Sequence, residues 1–169
     1  DCYYFKLIYM KRKLIFTIGL IFLFTSLITP LSSAAAKAGA ENFMTAYMGV
    51  NGIPATANKY LITDVLRKEW GFKGFLVSDA NAVFNLITHK FAKDKAAASA
   101  AALNAGLDME MAMIESGYAG IPAAVANNEV SIETVDDAVR RVLTAKAKLG
   151  LLDNPYVDVE QSQKVLNDP

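Results

Sequence analysis

The sequence predicts an α/β protein built from parallel strand–helix units. Three observations predict it. Residues Phe75–Val77, inside GFLVSD (74–79), form a continuous apolar run of the kind buried on both faces of a parallel sheet. Segments with apolar residues at the helical period lie on both sides of that run. Strand-like and helix-like segments then alternate along the chain, the order that parallel βα connections require. Three strands joined by right-handed crossovers form part of an open sheet or part of a barrel.

The elements follow in order. AAAKAGAEN (34–42) is a low-complexity junction, and NFMTAYMG (42–49) is apolar and aromatic enough for a first strand. VNGIPATAN (50–58) carries Asn-Gly and Pro and reads as a loop. Asn58 caps a helix from Lys59 to about Trp70, with Leu61, Ile62, Val65 and Leu66 on its apolar face and Gly71 as its stop. The second strand is GFLVSD. An Ala-rich helix follows from near Asp94 to Ala105, ended by Gly106. LDMEM (107–111) is the third strand, and 120–127 is helical. Ser131 caps a last long helix with a stripe of Val135, Val139, Val142 and the Lys146 stem, ending at Leu149-Gly150. LLDNPYVD (151–158) is turn-rich and extended, and 159–169 is the tail.

The chain has 169 residues, 53% of them hydrophobic, which is enough for one packed domain. A formal net charge of +0 gives no basis for nucleic-acid binding. The one basic cluster, Lys11-Arg12-Lys13, precedes the apolar run Leu14–Ile28 and then small residues ending in Ala34-Ala35-Ala36. That order is a secretory signal peptide over 1–36, with cleavage near Ala36 and export to the periplasm or beyond. The run is shorter than the about 20 residues of a membrane span, so the membrane is met only through this segment. Met10 is the natural start, and Asp1–Tyr9 reads as upstream sequence. Removing the leader leaves 13 Lys and Arg against 16 Asp and Glu, and removes the single Cys2. A disulfide, a thiol nucleophile and a thiolate metal site are thereby excluded from 37–169.

In parallel α/β folds the reactive groups gather at the C-terminal ends of strands. Asp79 ends the central strand and is, by position, a helix cap, a hydrogen-bond anchor or a catalyst. Tyr47 and Met44 near the end of the first strand read as core residues on spacing alone. Asp108 and Glu110 read as ion-pair or capping groups. His89, the only histidine, has no Gly-x-Ser-x-Gly partner motif and reads as an exposed loop residue. No dinucleotide or phosphate-loop motif occurs.

Three blocks of the sequence resemble glycoside hydrolase family 3, the β-glucosidase type: FMTAYMGVNGIPATANKYLITDVLRKEWGFKGFLVSDANAV, then ALNAGLDMEM, then VSIETVDDAVRRVLTAKAKLGLLDNPYVD. The resemblance covers about Glu41 to Asp158. It implies that 37–158 is part of a (β/α)8, TIM-barrel-like domain, about its last three βα units, preceded by the hydrophobic signal helix. It implies that Asp79 is the catalytic nucleophile, and that Tyr47, Met44 and Ala80 line the sugar site. The reaction implied is retaining hydrolysis of a β-glucoside or cello-oligosaccharide, with no cofactor and no metal. Asp79 must then be ionised, so hydrogen-bond donors are expected around it.

Two positions depart from the family pattern. Ala80 stands where the family has a Trp, which implies a missing aromatic wall, and Met48 stands where Asn is frequent. The family's earlier barrel strands and its acid/base residue have no counterpart in these blocks. The sequence thus reads as a fragment of an exported β-glucosidase, inactive alone. The alternative is a non-catalytic exported fragment or carbohydrate-binding module that needs the rest of the barrel. The uncovered barrel interior is expected to drive self-association. N-terminal sequencing of the exported protein is expected to begin near Lys37.

Overall fold

The computed structural model describes residues 32–156 and 158–167. Residues 1–31 of the signal-peptide reading, with Cys2 and Leu14–Ile28, lie outside the described residues. Contacts divide the chain at Ala40/Glu41 into two units. Of the first, the structure describes a short helix over 32–37, closed by the Ala38 and Ala40 amides donating to the Ala34 and Ala35 carbonyls. No helix among the described residues is long and apolar enough to cross a membrane.

The second unit is α/β with a parallel sheet, as the alternation of apolar patterns predicts. Strand β1 (Asn42–Met44) is followed by a small antiparallel pair, β2 (Gly49–Val50) and β3 (Ile53–Pro54). Then come helix α1 (Tyr60–Glu69), strand β4 (Phe75–Ala80), helix α2 (Ala82–Thr88), helix α3 (Lys95–Ala105) and strand β5 (Met109–Met111). A 3-10 turn leads into α4 (Ile121–Ala126), and α5 (Ile132–Lys148) and α6 (Val159–Leu166) complete it. The main sheet has the order β1-β4-β5, all parallel, with Met44 opposite Val77 and Val77 opposite Met109.

Local chemistry explains the element ends. The Asn58 Oδ1 accepts from the Leu61 amide at 3.2 Å, so the expected cap forms. Helix α1 closes with the wide i→i+5 pattern, the Trp70 amide donating to the Val65 carbonyl, before Gly71 leaves it at φ 73°. Asp94 caps α3 through the Ala97 amide, and Gly106 ends it at φ 104°, a conformation that suits glycine. Ser131 caps α5 through the Thr134 amide.

The core sits where the small residues of α3 allow close approach. Ala96, Ala100 and Leu103 pack with Ala124, Val130 and Ala138, with Tyr118 and Val135 against them. A Cβ on Gly120 would lie 2.2 Å from the Lys95 carbonyl, so only glycine permits the turn before α4 to touch the start of α3. Burial pushes the Tyr118 phenol well above its usual range, and its hydroxyl donates to the Leu107 carbonyl at 3.0 Å.

One carboxylate ties the layers. The fully buried side chain of Asp108 pairs with Arg67 of α1 at 2.5 Å and Arg141 of α5 at 2.7 Å, and accepts from the Leu76 amide at 2.8 Å. Arg67 also donates to the Gly74 and Gly106 carbonyls and lies over the Phe72 ring. Glu110 accepts from the Ser116 hydroxyl and from the Gly117 and Tyr118 amides, capping the turn that follows β5. Both carboxylates do the structural work their positions predict.

Two expectations change, and two short helices form where none was expected. The first strand stops at Met44, because the chain arches from Thr45 into the β2–β3 pair. Helix α2 starts at Ala82, three residues after Asp79, and its seven residues are too few for a clear periodic signal. Of the expected α5 stripe, Val135 and Val142 are half-buried, while Val139 and Lys146 are exposed and Ala138 and Ala145 are the buried positions; the small residues let α5 lie close enough for Arg141 to reach Asp108. Within the tail, α6 forms, capped by Asp158 through the Gln161 amide.

Asp108→Ala is expected to destabilise the protein by about 3–5 kcal/mol, since it leaves two guanidinium groups without their shared partner. Urea denaturation followed by circular dichroism reads this, and Asp108→Asn is expected to lose less.

Candidate active site

The site forms where regular pairing between β4 and β5 fails. Val77 pairs with Met109 and Ala80 with Met111, so the register is irregular over Ser78–Asp79. Side chains replace the missing ladder bonds. The buried Ser78 hydroxyl donates to the Asp79 carbonyl at 2.7 Å and accepts from the Met111 amide at 3.0 Å. The Asn81 amide donates to the Met111 carbonyl at 2.8 Å. Such an irregularity re-aims side chains at the end of a strand. Here it presents Asp79, half-buried, at the C-terminal end of β4, with Oδ1 accepting from the Ala80 amide at 2.7 Å.

The second wall is the arch between β1 and β2. The Thr45 amide donates to the Val77 carbonyl at 2.9 Å, continuing the β1–β4 ladder by one bond. The Thr45 and Thr56 hydroxyls are buried and 3.0 Å apart. The Ala55 amide donates to the Met48 carbonyl, and the Asn58 side-chain amide donates to the Val50 carbonyl. These bonds hold Tyr47 across the end of β4, where its hydroxyl donates to the Ala80 carbonyl. Partial desolvation pushes the Tyr47 phenol up, and the Asp79 carboxylate adds to the shift by its charge and by a hydrogen bond. Tyr47 is therefore a neutral donor beside Asp79 at physiological pH.

Asp79, Tyr47 and Met44 share one open concavity with Met48 and His89. Tyr47 and Met44 are 54% and 56% exposed, so the core reading that spacing gives them is overturned. Met44 is the last residue of β1, and the arch beyond it carries Tyr47 over the rim instead of into the interior. Ala80 does not line the concavity; it contributes the carbonyl that takes the Tyr47 hydroxyl. His89 is exposed at the end of α2, as expected, yet it also borders the concavity. Sequence reasoning missed Ser78 and Asn81 as builders of this end. The only signal for Asn81 is a residue type tolerant of left-handed backbone right after a strand, and Asn81 does have φ 56°. Asp108 and Glu110 face away from the concavity, in the packing described above. No cluster among the described residues has the composition of a metal site.

An aspartate beside a phenol, at the C-terminal end of a parallel strand and open to solvent, suits covalent or general-base chemistry on a polar substrate. The glycosyl hydrolase family 3 N-terminal-domain model matches residues 19–145. The chain belongs to glycosyl hydrolase family 3. It is 43% identical over 128 residues to the periplasmic β-glucosidase of Salmonella typhimurium, a match over 75% of this chain and 16% of that protein. It is 38% identical over 136 residues to a putative β-xylosidase of Formosa agariphila, over 80% of this chain and 18% of that one. The fold matches the β-glucosidase of Listeria innocua in complex with glucose at a TM-score of 0.74 and 38% identity, covering 80% of this chain and 19% of that chain. The chain thus spans less than a fifth of the length of these relatives.

Asp79→Asn is expected to bring the Tyr47 phenol back down toward, though not fully to, its ordinary range, because the carboxylate is one of two causes of the shift. An NMR pH titration of the Tyr47 ring measures it.

Proposed function

We propose that this chain is the nucleophile-bearing part of an exported, retaining β-glucosidase, and that Asp79 is the nucleophile. The carrying observation is the Asp79 carboxylate at the C-terminal end of β4, beside the Tyr47 hydroxyl, in an open concavity. The family membership supports glycoside hydrolysis as the chemistry. The names of the Salmonella and Listeria relatives support a β-glucoside as substrate, and the periplasmic relative supports export. The Formosa relative makes β-xylosides the competing substrate class. The three βα units are read as the last three of a (β/α)8 barrel.

In this reading an Asp79 carboxylate oxygen attacks the anomeric carbon as the bond from that carbon to the leaving oxygen breaks. The electron pair departs with the leaving oxygen, which takes a proton from a second carboxyl group outside the residues of this site. Water then attacks the glycosyl ester, its proton returns to that group, and Asp79 is freed with net retention. Tyr47, neutral and fixed to the Ala80 carbonyl, keeps the carboxylate at the rim. Met44 and Met48 supply apolar surface for the sugar's carbon face.

The test is covalent trapping. A 2-deoxy-2-fluoro-β-glucoside with a dinitrophenyl leaving group needs little acid assistance to depart. Incubation is expected to add one fluoroglucosyl mass to the peptide holding Asp79, and none to Asp79→Ala. A label on a residue other than Asp79, in this chain or at its counterpart in a full-length relative, overturns the assignment. Glucose binding by calorimetry without any label would favour the second reading, a carbohydrate-binding fragment, which the chain's small share of its relatives' length supports.

A further inference from the structure

Asn81 sits two residues beyond Asp79 and carries more bonds than a helix start needs. Its backbone is left-handed, φ 56° and ψ 12°, where glycine is the unstrained choice. Its amide donates to the Met111 carbonyl at 2.8 Å, and its carbonyl accepts from the Asn85 amide at 2.8 Å. Its side-chain Oδ1 accepts from two successive amides, Met113 at 2.9 Å and Ile114 at 3.0 Å. Those residues belong to an exposed loop, Met113 73% and Ile114 88% accessible, whose own side chains give it little burial.

The position of this fork matters because the β4–β5 ladder is irregular at this end. Ser78 stitches β4 to β5 on one side of Asp79, and Asn81 stitches β4 to the loop after β5 on the other. Asp79 is thus held between two side-chain clasps that stand in for ladder bonds. Glycine would satisfy the backbone at position 81 but would leave the Met113 and Ile114 amides to water.

We propose that Asn81 is a positioning residue: its Oδ1 fork holds the 112–114 loop against the end of β4 and so fixes the direction in which Asp79 faces its substrate. The positioning role rests on the reading of Asp79 as the attacking group; the clasp itself does not. Asn81 touches no substrate, and its effect is carried through the backbone of Asp79 and Ala80.

Asn81→Gly keeps the left-handed backbone free of strain and removes only the acceptor. Asn81→Asp keeps both the backbone tolerance and the acceptor oxygens. Residue-resolved hydrogen exchange on the full chain is expected to show the Met113 and Ile114 amides exchanging about tenfold faster in Asn81→Gly, the scale of one net hydrogen bond. Asn81→Asp is expected to stay near the parent. With the fluoroglucoside, Asn81→Gly is expected to slow the covalent step about tenfold while the concentration for half-saturation shifts much less, and Asn81→Asp to recover most of the loss. Unchanged exchange at both amides in Asn81→Gly overturns the clasp. Faster exchange with an unchanged labelling rate overturns the positioning role. If the parent chain takes no label, it is inactive alone and exchange alone decides the clasp.

Discussion

A carboxylate without solvent survives only where donors surround it, and Asp108 is so surrounded. Its two oxygens take guanidinium groups from α1 and α5, and one oxygen also takes the Leu76 amide of the central strand. Three elements distant in sequence thus share one anion. Arg67 extends the link to the Gly74 and Gly106 carbonyls, which precede the parallel strands β4 and β5. Hydrophobic burial alone would let α5 slide over a surface of alanines, because alanine offers volume but little registration. The Arg141 contact supplies the registration. Desolvation tends to lower the Arg67 guanidinium, and the Asp108 charge opposes it.

That fixed base lets the other end of β4 be irregular. The strand is held by paired ladders over Phe75–Val77 and by Asp108 beneath Leu76, then departs from register where Asp79 emerges. Ordinary ladder bonds would point Asp79 wherever the pleat dictates. The clasps by Ser78 and Asn81, with Tyr47 across the Ala80 carbonyl, instead orient it by side-chain chemistry. Stability is concentrated at one end of the strand and adaptability at the other. That division is the usual one between a scaffold and the groups that react upon it.

Much of the scaffold was legible in the chain. Asn58, Asp94 and Ser131 are caps because their short side chains reach amides three residues on, a purely local geometry. The central strand was legible because a run buried on both faces needs no periodicity to stand out. The roles of Asp108 and Glu110 as pairing and capping groups were also correctly anticipated. The stripe of α5 was legible in part: Val135 and Val142 are half-buried, Val135 against the core, whereas Val139 has the right spacing yet is exposed, and Arg141 on this helix reaches Asp108, 33 residues away. Helix α2 and the true end of the first strand escaped for the same kind of reason, since both are decided by the arch and the irregular register.

The sequence by itself determined the α/β alternation, the caps, the central strand that carries Asp79 near its end and the family to which the chain belongs. These follow from neighbours within a few residues, or from blocks whose order survives translation into any fold. Only the tertiary structure decided that Tyr47 and Met44 stand exposed at the rim, that Asn81 grips a loop more than thirty residues on, and that Asp79 shares a concavity with His89. Those facts depend on where separate strands end relative to one another, and hydrogen bonds between distant backbones, not local preference, set that distance.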